Sequence, residues 1–422
     1  MRTNRIVVFG VTGSEKCKTL KRFASWCSRY RSHQYKVIDF EGDFLFNLNN
    51  GGRRWYTFLD DDESEQRRRW NRAWERLCDE LKPNHQQEQD LIISVHGCFV
   101  RGHYGVRCIL EPRRIAELHP DRIVTLLENV HDMYWRTQER AEGLPYRGTP
   151  TLEQLLFARR VEMIVADQTA YAAGDVPHLV LAVRHPCETL WNWLQSKDCR
   201  VVYLGFPISA PRDLDQIADP SGMDEINGFL RKAYQAQHDN PDLVLVCPLA
   251  IDELPLVECI PDSKDKEKGP SEKNESEAIS FNREELQWDM NFVWPYSDSL
   301  SPGPPASERR TPIQLEQLDG AAGMIRTDVG WRDYRLVAQS DYLAVFNPKF
   351  KNRPDVSRSV LREIRYAKCP VFYYQDPAHD PQNTLARHFS KPGTMGPEPK
   401  EQMIIPCDSV EAMFRSVAVE RK

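Results

Sequence analysis

The sequence lacks an excess of basic residues, paired cysteines and long hydrophobic runs. Its 56 Lys and Arg residues are outnumbered by 62 Asp and Glu residues, so the formal net charge is -6. Many nucleic-acid-binding proteins carry a basic excess, and its absence favours a free nucleotide or nucleoside over nucleic acid as the partner. The 11 cysteines include no CxxC pair, which predicts reduced thiols in the cytoplasm and no metal site.

The N-terminal segment contains a single short apolar run, residues 6–9. A run of this length is too short for the core of a signal peptide or for a membrane span. Hydrophobic residues make up 41% of the chain and charged residues 28%, as in ordinary globular proteins. We therefore expect a cytoplasmic protein that does not contact a membrane.

The length of 422 residues predicts two domains, because one hydrophobic core seldom organises so long a chain. In both halves, short β-branched runs alternate with helix-like segments, which predicts an α/β fold with a parallel sheet and helices on its faces. The runs predicted as strands in the first half are residues 5–9, 36–40, 90–95, 122–127, 162–166 and 178–183.

The alternating pattern restarts at the boundary between the predicted domains, which comprise residues 1–197 and 198–380. Two stretches of the second domain, 262–280 and 297–310, consist largely of charged residues, Ser and Pro. Such compositions are typical of mobile insertions. A C-terminal tail at 381–422 has little apolar periodicity, and the sequence does not place it.

Residues 5–20 read RIVVFGVTGSEKCKTL, a short strand that leads through a glycine-containing turn into a lysine-rich helix. Backbone N–H groups at such a helix start bind phosphate, and a lysine reaches the outer phosphates. The segment resembles the Walker A loop of P-loop kinases, so a P-loop kinase-like parallel sheet is expected for the first domain. The residues that this resemblance assigns to nucleotide binding are Gly10, Gly13, Ser14, Lys16, Lys18, Thr19, Asp39 and Arg101.

The loop departs from the family pattern in either alignment. One register takes Lys16 as the phosphate-binding lysine, with Glu15 where the family has glycine and Cys17 where it has Ser or Thr. The other register takes Lys18 but puts Thr12 and Cys17 at glycine positions. A carboxylate repels phosphate, and a thiol is a poor ligand for Mg²⁺. Phosphoryl transfer with ATP and Mg²⁺ as cofactors, and an inherited junction without that activity, therefore both stay open.

Further candidates lie elsewhere in the first half. Asp39, Glu41 and Asp43 follow the second predicted strand, where nucleotide kinases carry acidic groups for the acceptor hydroxyl or metal; alone they fit a solvated loop. Arginines between the third and fourth strands are able to hold phosphate oxygens, although most surface arginines only solvate a face. These arginines are Arg101, Arg107, Arg113 and Arg114. The residues His96, Cys98, His103 and Cys108 have metal-ligand types but match no zinc spacing.

Three segments of the second half follow one another on an α/β pattern. They are VYLGFPIS at 202–209, WRDYR and SDYLAV within 331–345, and SRSVLREIRYA at 357–367. Together they resemble the nucleoside 2-deoxyribosyltransferase family, which includes nucleoside 5′-phosphate N-hydrolases. The resemblance covers most of residues 200–377 and implies a flavodoxin-like α/β sandwich. It also implies cleavage of an N-glycosidic bond.

By this resemblance Glu363 is the nucleophile that attacks the anomeric carbon or stabilises an oxocarbenium-like centre there. Asp333 or Asp341 orients the base or supplies a proton, and Tyr203 or Tyr366 steers the nucleophile. The substrate-binding residues that it implies are Gly205, Phe206, Pro207, Ser357, Arg358 and Ser359. No cofactor is required for this chemistry. Spacing alone instead favours an exposed carboxylate at Glu363 that pairs with neighbouring arginines.

The segment around Glu363 departs from the family at the start of the predicted helix. Ser359 stands where the family usually has glycine, and Arg358 and Arg362 flank the turn. Cations at a helix N-terminus fit a phosphate-bearing substrate better than a bare nucleoside. We therefore expect a nucleotide as substrate.

Three hypotheses follow for the whole chain. The first is a nucleotide N-glycosidase or deoxyribosyltransferase with a nucleotide-binding P-loop half, and this pairing of domains fits a nucleotide-depleting defence effector. The second is a nucleotide sensor or scaffold in which both sites have decayed. The third is a bifunctional kinase and glycosidase. Because members of the deoxyribosyltransferase family often build their pockets across subunits, a homo-oligomer or a partner protein is also expected.

Overall fold

The computed structural model describes residues 3–47, 55–82, 89–101, 105–141, 150–208, 221–251, 253, 256, 278–279, 299–300, 313–348, 357–375 and 404–419. The chain divides into two compact units. The first comprises Met1–Arg184, Glu253–Gln287 and Leu300–Asp328, and the second comprises His185–Asp252, Trp288–Ser299 and Val329–Lys422. The first unit therefore ends before the boundary predicted at residue 198, and two later segments group with it. Most of both predicted insertions lies outside the described residues.

The first unit contains a five-stranded sheet in which neighbouring strands are all parallel. The strands of its first segment are β1 (Arg5–Phe9), β2 (Tyr35–Asp39), β3 (Asp90–Val95), β4 (Phe99–Arg101), β5 (Gly105–Arg107), β6 (Arg122–Leu127) and β7 (His178–Ala182). In its later segments, the short strands Ala278–Ile279 and Ile313–Gln314 pair antiparallel. The sheet order is β2-β3-β1-β6-β7, while β4 and β5 form a separate hairpin. The central strand β1 ends at the predicted phosphate loop, so that loop lies at the carboxyl edge of the sheet.

Helices cover the faces of this sheet. They are α1 (Lys16–Tyr30), α2 (Trp55–Asp60), α3 (Glu63–Glu80), α4 (Pro112–Ala116), α5 (Val130–Ala141) and α6 (Leu152–Ala172), with a π-helical turn at Phe40–Leu45. Side-chain caps fix two of the starts: Asp62 accepts the Glu65 N–H at 2.9 Å, and Thr151 forms a capping box with Gln154. The core against the π turn contains Trp70 stacked on Trp74, with ring centroids 5.1 Å apart.

The strand predicted at residues 162–166 is wrong, because this segment lies in the middle of α6. The helix carries apolar residues around its whole circumference, so it lacks the one-sided period by which an amphipathic helix is recognised. A short β-branched run in such a helix reads as a buried strand. The other predicted strands of the first half correspond to β1, β2, β3, β6 and β7.

The second unit also contains a five-stranded parallel sheet. Its strands are β8 (Arg200–Gly205), β9 (Leu243–Val246), β10 (Tyr342–Asn347), β11 (Val371–Gln375) and β12 (Ile404–Pro406). The sheet order is β12-β11-β10-β8-β9, so the chain first crosses from β8 to β9 and then continues on the other side of β8. All residues of β9 and β10 are buried, as expected for strands covered on both faces. The predicted α/β class with parallel sheets is confirmed.

The helices that complete the second unit follow the same alternation. They are α7 (Cys187–Gln195), α8 (Ser221–Asp239), α9 (Leu315–Ala338, of which residues 329–338 count with this unit), α10 (Arg358–Tyr366) and α11 (Val410–Val419). Helix α11 shows that part of the predicted tail is regular structure. Among the helices in the described ranges, none is long and apolar enough to cross a membrane.

Candidate active site

Helix α10 directs Glu363 toward the sheet of the second unit. The buried residues of this helix are Val360, Glu363 and Ile364, which share one face because they are spaced by three and four residues. Glu363 is only 7% exposed. The reading of Glu363 as an exposed helix carboxylate is therefore wrong, and the arginines of α10 lie on the outer side of the helix instead.

The carboxylate of Glu363 lies over the carboxyl end of β8. A Cβ atom placed on Gly205, the last residue of that strand, would lie 3.6 Å from Glu363 Oε2 and 3.2 Å from Val345 Cγ2. Glycine at this position therefore leaves space beside the carboxylate that a larger side chain would fill. Since Val345 belongs to β10, the site lies where β8 and β10 adjoin and the direction of the strand order reverses. Ligands of open parallel sheets bind at such switch points.

Tyr203 lies beneath the same space. It is fully buried and precedes Gly205 by two positions on β8, so both residues face the same side of the sheet. Neither the Tyr203 hydroxyl nor Glu363 Oε2 makes a hydrogen bond of good geometry within the described part of the chain. The hydroxyl is nevertheless close enough to the carboxylate to lower its pKa. Buried polar atoms without a hydrogen bond of good geometry are available to form one with a bound ligand.

Helix α9 contributes an ion pair to the site. Arg332 is 2% exposed and donates from Nε and Nη2 to Asp333 Oδ1, at 3.1 and 2.9 Å. Both charges act on Glu363 through the low dielectric of the interior. The negative charge of Asp333 raises the pKa of Glu363, and the positive charge of Arg332 lowers it.

Burial is the main reason that the pKa of Glu363 is raised, to about 8. The charge of Asp333 adds to this effect, whereas Tyr203 and Arg332 oppose it. A carboxyl group with such a pKa exchanges its proton close to physiological pH. Perturbed carboxyl groups at a sheet edge are characteristic of functional sites, although structural clusters also produce them.

Two of the predicted catalytic residues do not join this cluster. Asp341 lies at the opposite edge of the sheet, where its Oδ2 accepts the Val201 N–H at 3.0 Å and its N–H donates to Val201 O at 2.7 Å. It ties the starts of two strands together and is corrected here to a structural residue. Tyr366 is 48% exposed and stacks on Tyr334, with ring centroids 4.7 Å apart. Of the two tyrosines, Tyr203 is the one that lies beside Glu363.

The predicted substrate-binding residues divide into three groups. Gly205 borders Glu363. The side chain of Phe206 is 2% exposed and packs on Phe229 with ring centroids 5.9 Å apart, and Pro207 is also buried, so this turn offers a ligand its backbone and not these side chains. At the start of α10, the Ser357 and Ser359 hydroxyls are 2.8 Å apart and Arg358 is exposed. These three residues border residues 349–356, which lie outside the described ranges.

In the first unit, the segment after β1 forms a tight loop before α1. Gly13 has a φ of 91°, a conformation that favours glycine, and the Ser14 N–H donates to Val11 O at 3.1 Å. Gly10 lies at the end of β1, where a Cβ would meet Lys16 and Ser14 atoms at 3.2 Å. The loop therefore requires small residues, as a phosphate loop does. Thr19 is buried in the first turns of α1.

The two lysines of the loop differ in direction. Lys16 is buried, and its Nζ lies 4.0 Å from Glu41 Oε2. Lys18 is exposed and pairs with Glu15 at 3.4 Å. Of the two alignments with the Walker A pattern, the one that uses Lys16 therefore places its lysine at the carboxyl edge of the sheet. Burial raises the pKa of Glu41, and the charge of Lys16 opposes this effect.

Glu15 adopts a left-handed backbone conformation, with a φ of 48°. In the Lys16 register this is the position at which P-loop kinases have glycine, and glycine is the residue that adopts this conformation without strain. The Glu15 carboxylate is held near Lys18 and lies 3.8 Å from Arg136 Nε. At Glu15 the loop therefore has a backbone conformation that glycine would adopt without strain.

Cys17 is half-buried next to Asp39. Burial is the main cause that raises the pKa of the Cys17 thiol to about 11, and the charge of Asp39 adds to it. The group is therefore a neutral thiol at physiological pH, which does not ligate a hard cation such as Mg²⁺. Asp39 itself accepts the Gly42 N–H at 3.2 Å and holds the π turn.

No family model matches the chain, and no curated protein matches its sequence. The functional assignment therefore depends on the geometry of the two sites.

The arginine that contacts the phosphate loop was missed by sequence reasoning. Arg136 on α5 is buried and donates to Gly13 O at 3.0 Å and to Glu128 Oε2 at 3.1 Å. No motif marks it. Burial raises the pKa of Glu128 to about 7, and the charge of Arg136 opposes that rise.

Two of the four arginines predicted to hold phosphate contact residues outside this loop. Arg107 donates to Gln66 Oε1 at 3.4 Å, Arg114 pairs with Glu117 at 3.6 Å, and Arg113 is exposed. The side chain of Arg101 lies outside the described part of the structure, as does His103. Asp43 is exposed and accepts the N–H of the residue that ends β2.

Proposed function

We propose that the second unit cleaves the N-glycosidic bond of a nucleotide, with Glu363 as the nucleophile. The observation that carries this proposal is the burial of Glu363 over Gly205, beside Tyr203 and Asp333. The strand order of the unit is that of flavodoxin-like sheets, in agreement with the fold that the resemblance to nucleoside 2-deoxyribosyltransferases implies. A fold hosts many functions, so the argument depends on the site.

The proposed reaction has two steps, formation of a covalent glycosyl-enzyme intermediate and its release. Ionised Glu363 attacks the anomeric carbon while the bond from that carbon to the base nitrogen breaks, and the bonding electron pair leaves with the base. The base takes up a proton from water or through Asp333. Water then attacks the same carbon and releases Glu363, which makes the enzyme a hydrolase; attack by a second base makes it a transferase. Tyr203 orients the carboxylate in both steps.

The outer face of α10 supports a phosphate-bearing substrate. Arg358 and Arg362 are both exposed on this helix. Arg358 is its first residue, and Arg362 directly precedes Glu363. Positive charge at a helix start favours an anion. We therefore assign a nucleotide, and not a bare nucleoside, as the preferred substrate.

We further propose that the first unit binds a nucleotide without transferring its phosphate. The loop of Gly13 and the inward direction of Lys16 favour binding. The neutral thiol of Cys17 and the carboxylate at Glu15 oppose the use of Mg²⁺ and ATP for catalysis. This makes the first unit a nucleotide sensor, while a bifunctional kinase and glycosidase is the less favoured alternative.

The cellular proposal is that the chain acts in the cytoplasm as a nucleotide-depleting defence effector. It derives from the pairing of two proposed nucleotide-handling units alone. Expression of the protein is expected to reduce a nucleotide pool in the cell, as measured by liquid chromatography of extracts. An unchanged pool would remove the support for this role.

Base release tests the glycosidase directly. Purified protein is incubated with nucleosides, nucleoside monophosphates, triphosphates and NAD, and the free base is measured by liquid chromatography. Wild type is expected to release base from one nucleotide class, and Glu363→Gln to release none. Glu411→Gln is the matched control, because Glu411 is an exposed glutamate of the same unit that pairs with Lys232. Absence of release by wild type on all substrates would favour a sensor or scaffold.

A further inference from the structure

The side chains beside the phosphate loop do not fit the Mg²⁺ ion that the resemblance to P-loop kinases implies. Burial and the charge of Asp39 raise the pKa of the Cys17 thiol to about 11, whereas Mg²⁺ prefers hard oxygen ligands. The Asp39 carboxylate already accepts the Gly42 N–H at 3.2 Å. Its partner in register on β3 is Ser94, which has a neutral hydroxyl. A bound phosphate therefore depends on the groups of the protein itself.

Buried polar atoms at this edge of the sheet point to a ligand. Lys16 is 4% exposed, and its Nζ lies 4.0 Å from Glu41 Oε2. Neither Glu41 Oε2 nor the Oγ atom of fully buried Ser94 makes a hydrogen bond within the described part of the chain. With a second pKa of about 6, a phosphate monoester readily keeps one proton beside a carboxylate. It then donates that proton to Glu41 Oε2 and accepts from Ser94 Oγ.

The charges around the loop limit how much negative charge it accepts. Lys16 adjoins Glu41, and Arg136 Nη1 lies 3.1 Å from Glu128 Oε2. Arg136 Nε is also 3.8 Å from the Glu15 carboxylate. Both buried cations are thus opposed by carboxyl groups before a ligand enters. A chain of three phosphates brings several negative charges that Mg²⁺ ordinarily offsets, and the described side chains of the loop leave most of them uncompensated.

We propose that the phosphate loop of the first unit holds a single phosphate group without Mg²⁺, as in a nucleoside monophosphate. The inference rests on the proposed binding of a nucleotide by this unit and adds the number of phosphates. Backbone N–H groups at the start of α1 and Lys16 bind the phosphate oxygens. The Ser94 hydroxyl donates a further hydrogen bond, and Glu41 Oε2 accepts the phosphate proton. The negative charge of Glu15 disfavours longer phosphate chains.

Isothermal titration calorimetry of the full chain tests the proposal. The mono-, di- and triphosphates of adenosine, guanosine, cytidine and uridine are titrated in EDTA and again in Mg²⁺. All chains carry Glu363→Gln, so that the second unit does not consume the ligand. Binding that is lost on addition of Lys16→Met, which keeps the aliphatic stem of the buried lysine, is assigned to the loop. This binding is expected to be equal in EDTA and Mg²⁺, and about fivefold or more tighter for a monophosphate than for its triphosphate.

Two further variants test the causes. Cys17→Ser supplies a hydroxyl oxygen and is expected to make triphosphate binding tighter in Mg²⁺ than in EDTA. Glu15→Gln removes a negative charge and is expected to tighten triphosphate binding about fivefold, with a smaller effect on the monophosphate. The matched controls are Cys78→Ser, at a half-buried cysteine of α3, and Glu80→Gln, at an exposed glutamate that pairs with Lys36. Both controls should leave the affinities unchanged.

The outcomes separate this proposal from the one on which it rests. Lys16-dependent binding that is tighter for a triphosphate than for its monophosphate, or tighter in Mg²⁺ than in EDTA, would overturn the single metal-free phosphate. Nucleotide binding by the first unit would then still stand. An absence of Lys16-dependent binding would overturn both proposals. Cys17→Ser without any gain from Mg²⁺ would contradict the assignment of metal exclusion to the thiol.

Discussion

At the scale of single residues, Glu363 combines a charge with an environment that opposes that charge. Burial raises its pKa to about 8, and Asp333 adds to the effect. The resemblance of the segment around it to known glycosyl-transfer enzymes indicated the residue. Its environment was not predictable, because Tyr203 and Arg332 reach it from other elements.

The pH dependence of base release follows from this pKa. A nucleophile must be ionised, so the fraction of competent enzyme falls about tenfold for each pH unit below the pKa. We expect kcat/KM to rise with pH up to about 8 and then to level off, in accordance with the pKa of Glu363. Initial rates of base release in a series of buffers of different pH measure this dependence of kcat/KM on pH. A rate that decreases through this range would show that the protonated form is the active one.

Thermal stability gives a check that needs no substrate. An acid whose pKa is higher in the folded than in the unfolded protein stabilises the fold at low pH, and this contribution is lost as pH rises. For Glu363 this stabilisation is lost as the pH rises from about 4.5, the ordinary pKa of a glutamate, to about 8, its pKa in the folded protein. The Tm of wild type is therefore expected to fall relative to that of Glu363→Gln over this interval. A constant difference in Tm would mean that the folded pKa is not raised.

Glu15 is the residue at which the phosphate loop stores strain. Its φ of 48° costs a non-glycine residue about 1 kcal/mol. Its pair with exposed Lys18 contributes little, and its contact with Arg136 is a long one, at 3.8 Å. We expect Glu15→Gly to raise the free energy of unfolding of the first unit by about 1 kcal/mol. Urea unfolding followed by tryptophan fluorescence measures the change.

The control for this substitution lies in α3. Glu75 is exposed in the interior of that helix, where glycine lowers helix stability by about 1 kcal/mol. Glu75→Gly should therefore shift the unfolding midpoint in the opposite direction. If both substitutions destabilise the unit equally, Glu15 is not strained.

At the scale of elements, the end of β8 limits what fits beside Glu363. A Cβ at Gly205 meets Val345 at 3.2 Å and Glu363 at 3.6 Å, so alanine needs only a small shift, whereas valine fills the space. Displacements of about 1 Å at a reacting centre lower rates about 100-fold. We expect Gly205→Ala to retain most base release and Gly205→Val to lose about 100-fold. Equal activity of the two variants, measured as kcat, would place the substrate elsewhere.

Two helices show how far the sequence determines an element. In α10, spacing alone favoured an exposed carboxylate, because arginines neighbour Glu363 on the helix, yet the glutamate shares the buried face of Val360 and Ile364; only the family resemblance indicated its role. In α6, apolar residues on all sides hide the helical period, and residues 162–166 were therefore misread as a strand.

At the scale of the whole molecule, the strands and the α/β class were predictable from β-branched runs, but the convergence of residues was not. Asp341 adjoins a strand in sequence, yet it lies at the start of β10, while Gly205 lies at the end of β8. In a parallel sheet a residue that precedes its strand lies at the amino edge and one that ends its strand lies at the carboxyl edge, so the separation of Asp341 from Gly205 followed from the predicted class. Which strands and helices adjoin Glu363 depends on the sheet order, which the sequence does not show. Arg136 was missed for the same reason, because α5 brings it to the loop from another part of the chain.

Mass spectrometry of enzyme quenched during turnover tests the central claim most directly, namely that Glu363 is the nucleophile of the second unit. A nucleotide from which wild type releases base is added in excess, and the digested protein is searched for a peptide that carries the sugar phosphate. The account predicts this adduct on the peptide containing Glu363 in wild type and Glu411→Gln, and no base release by Glu363→Gln. An adduct on another residue, or base release by Glu363→Gln at the wild-type rate, would contradict it.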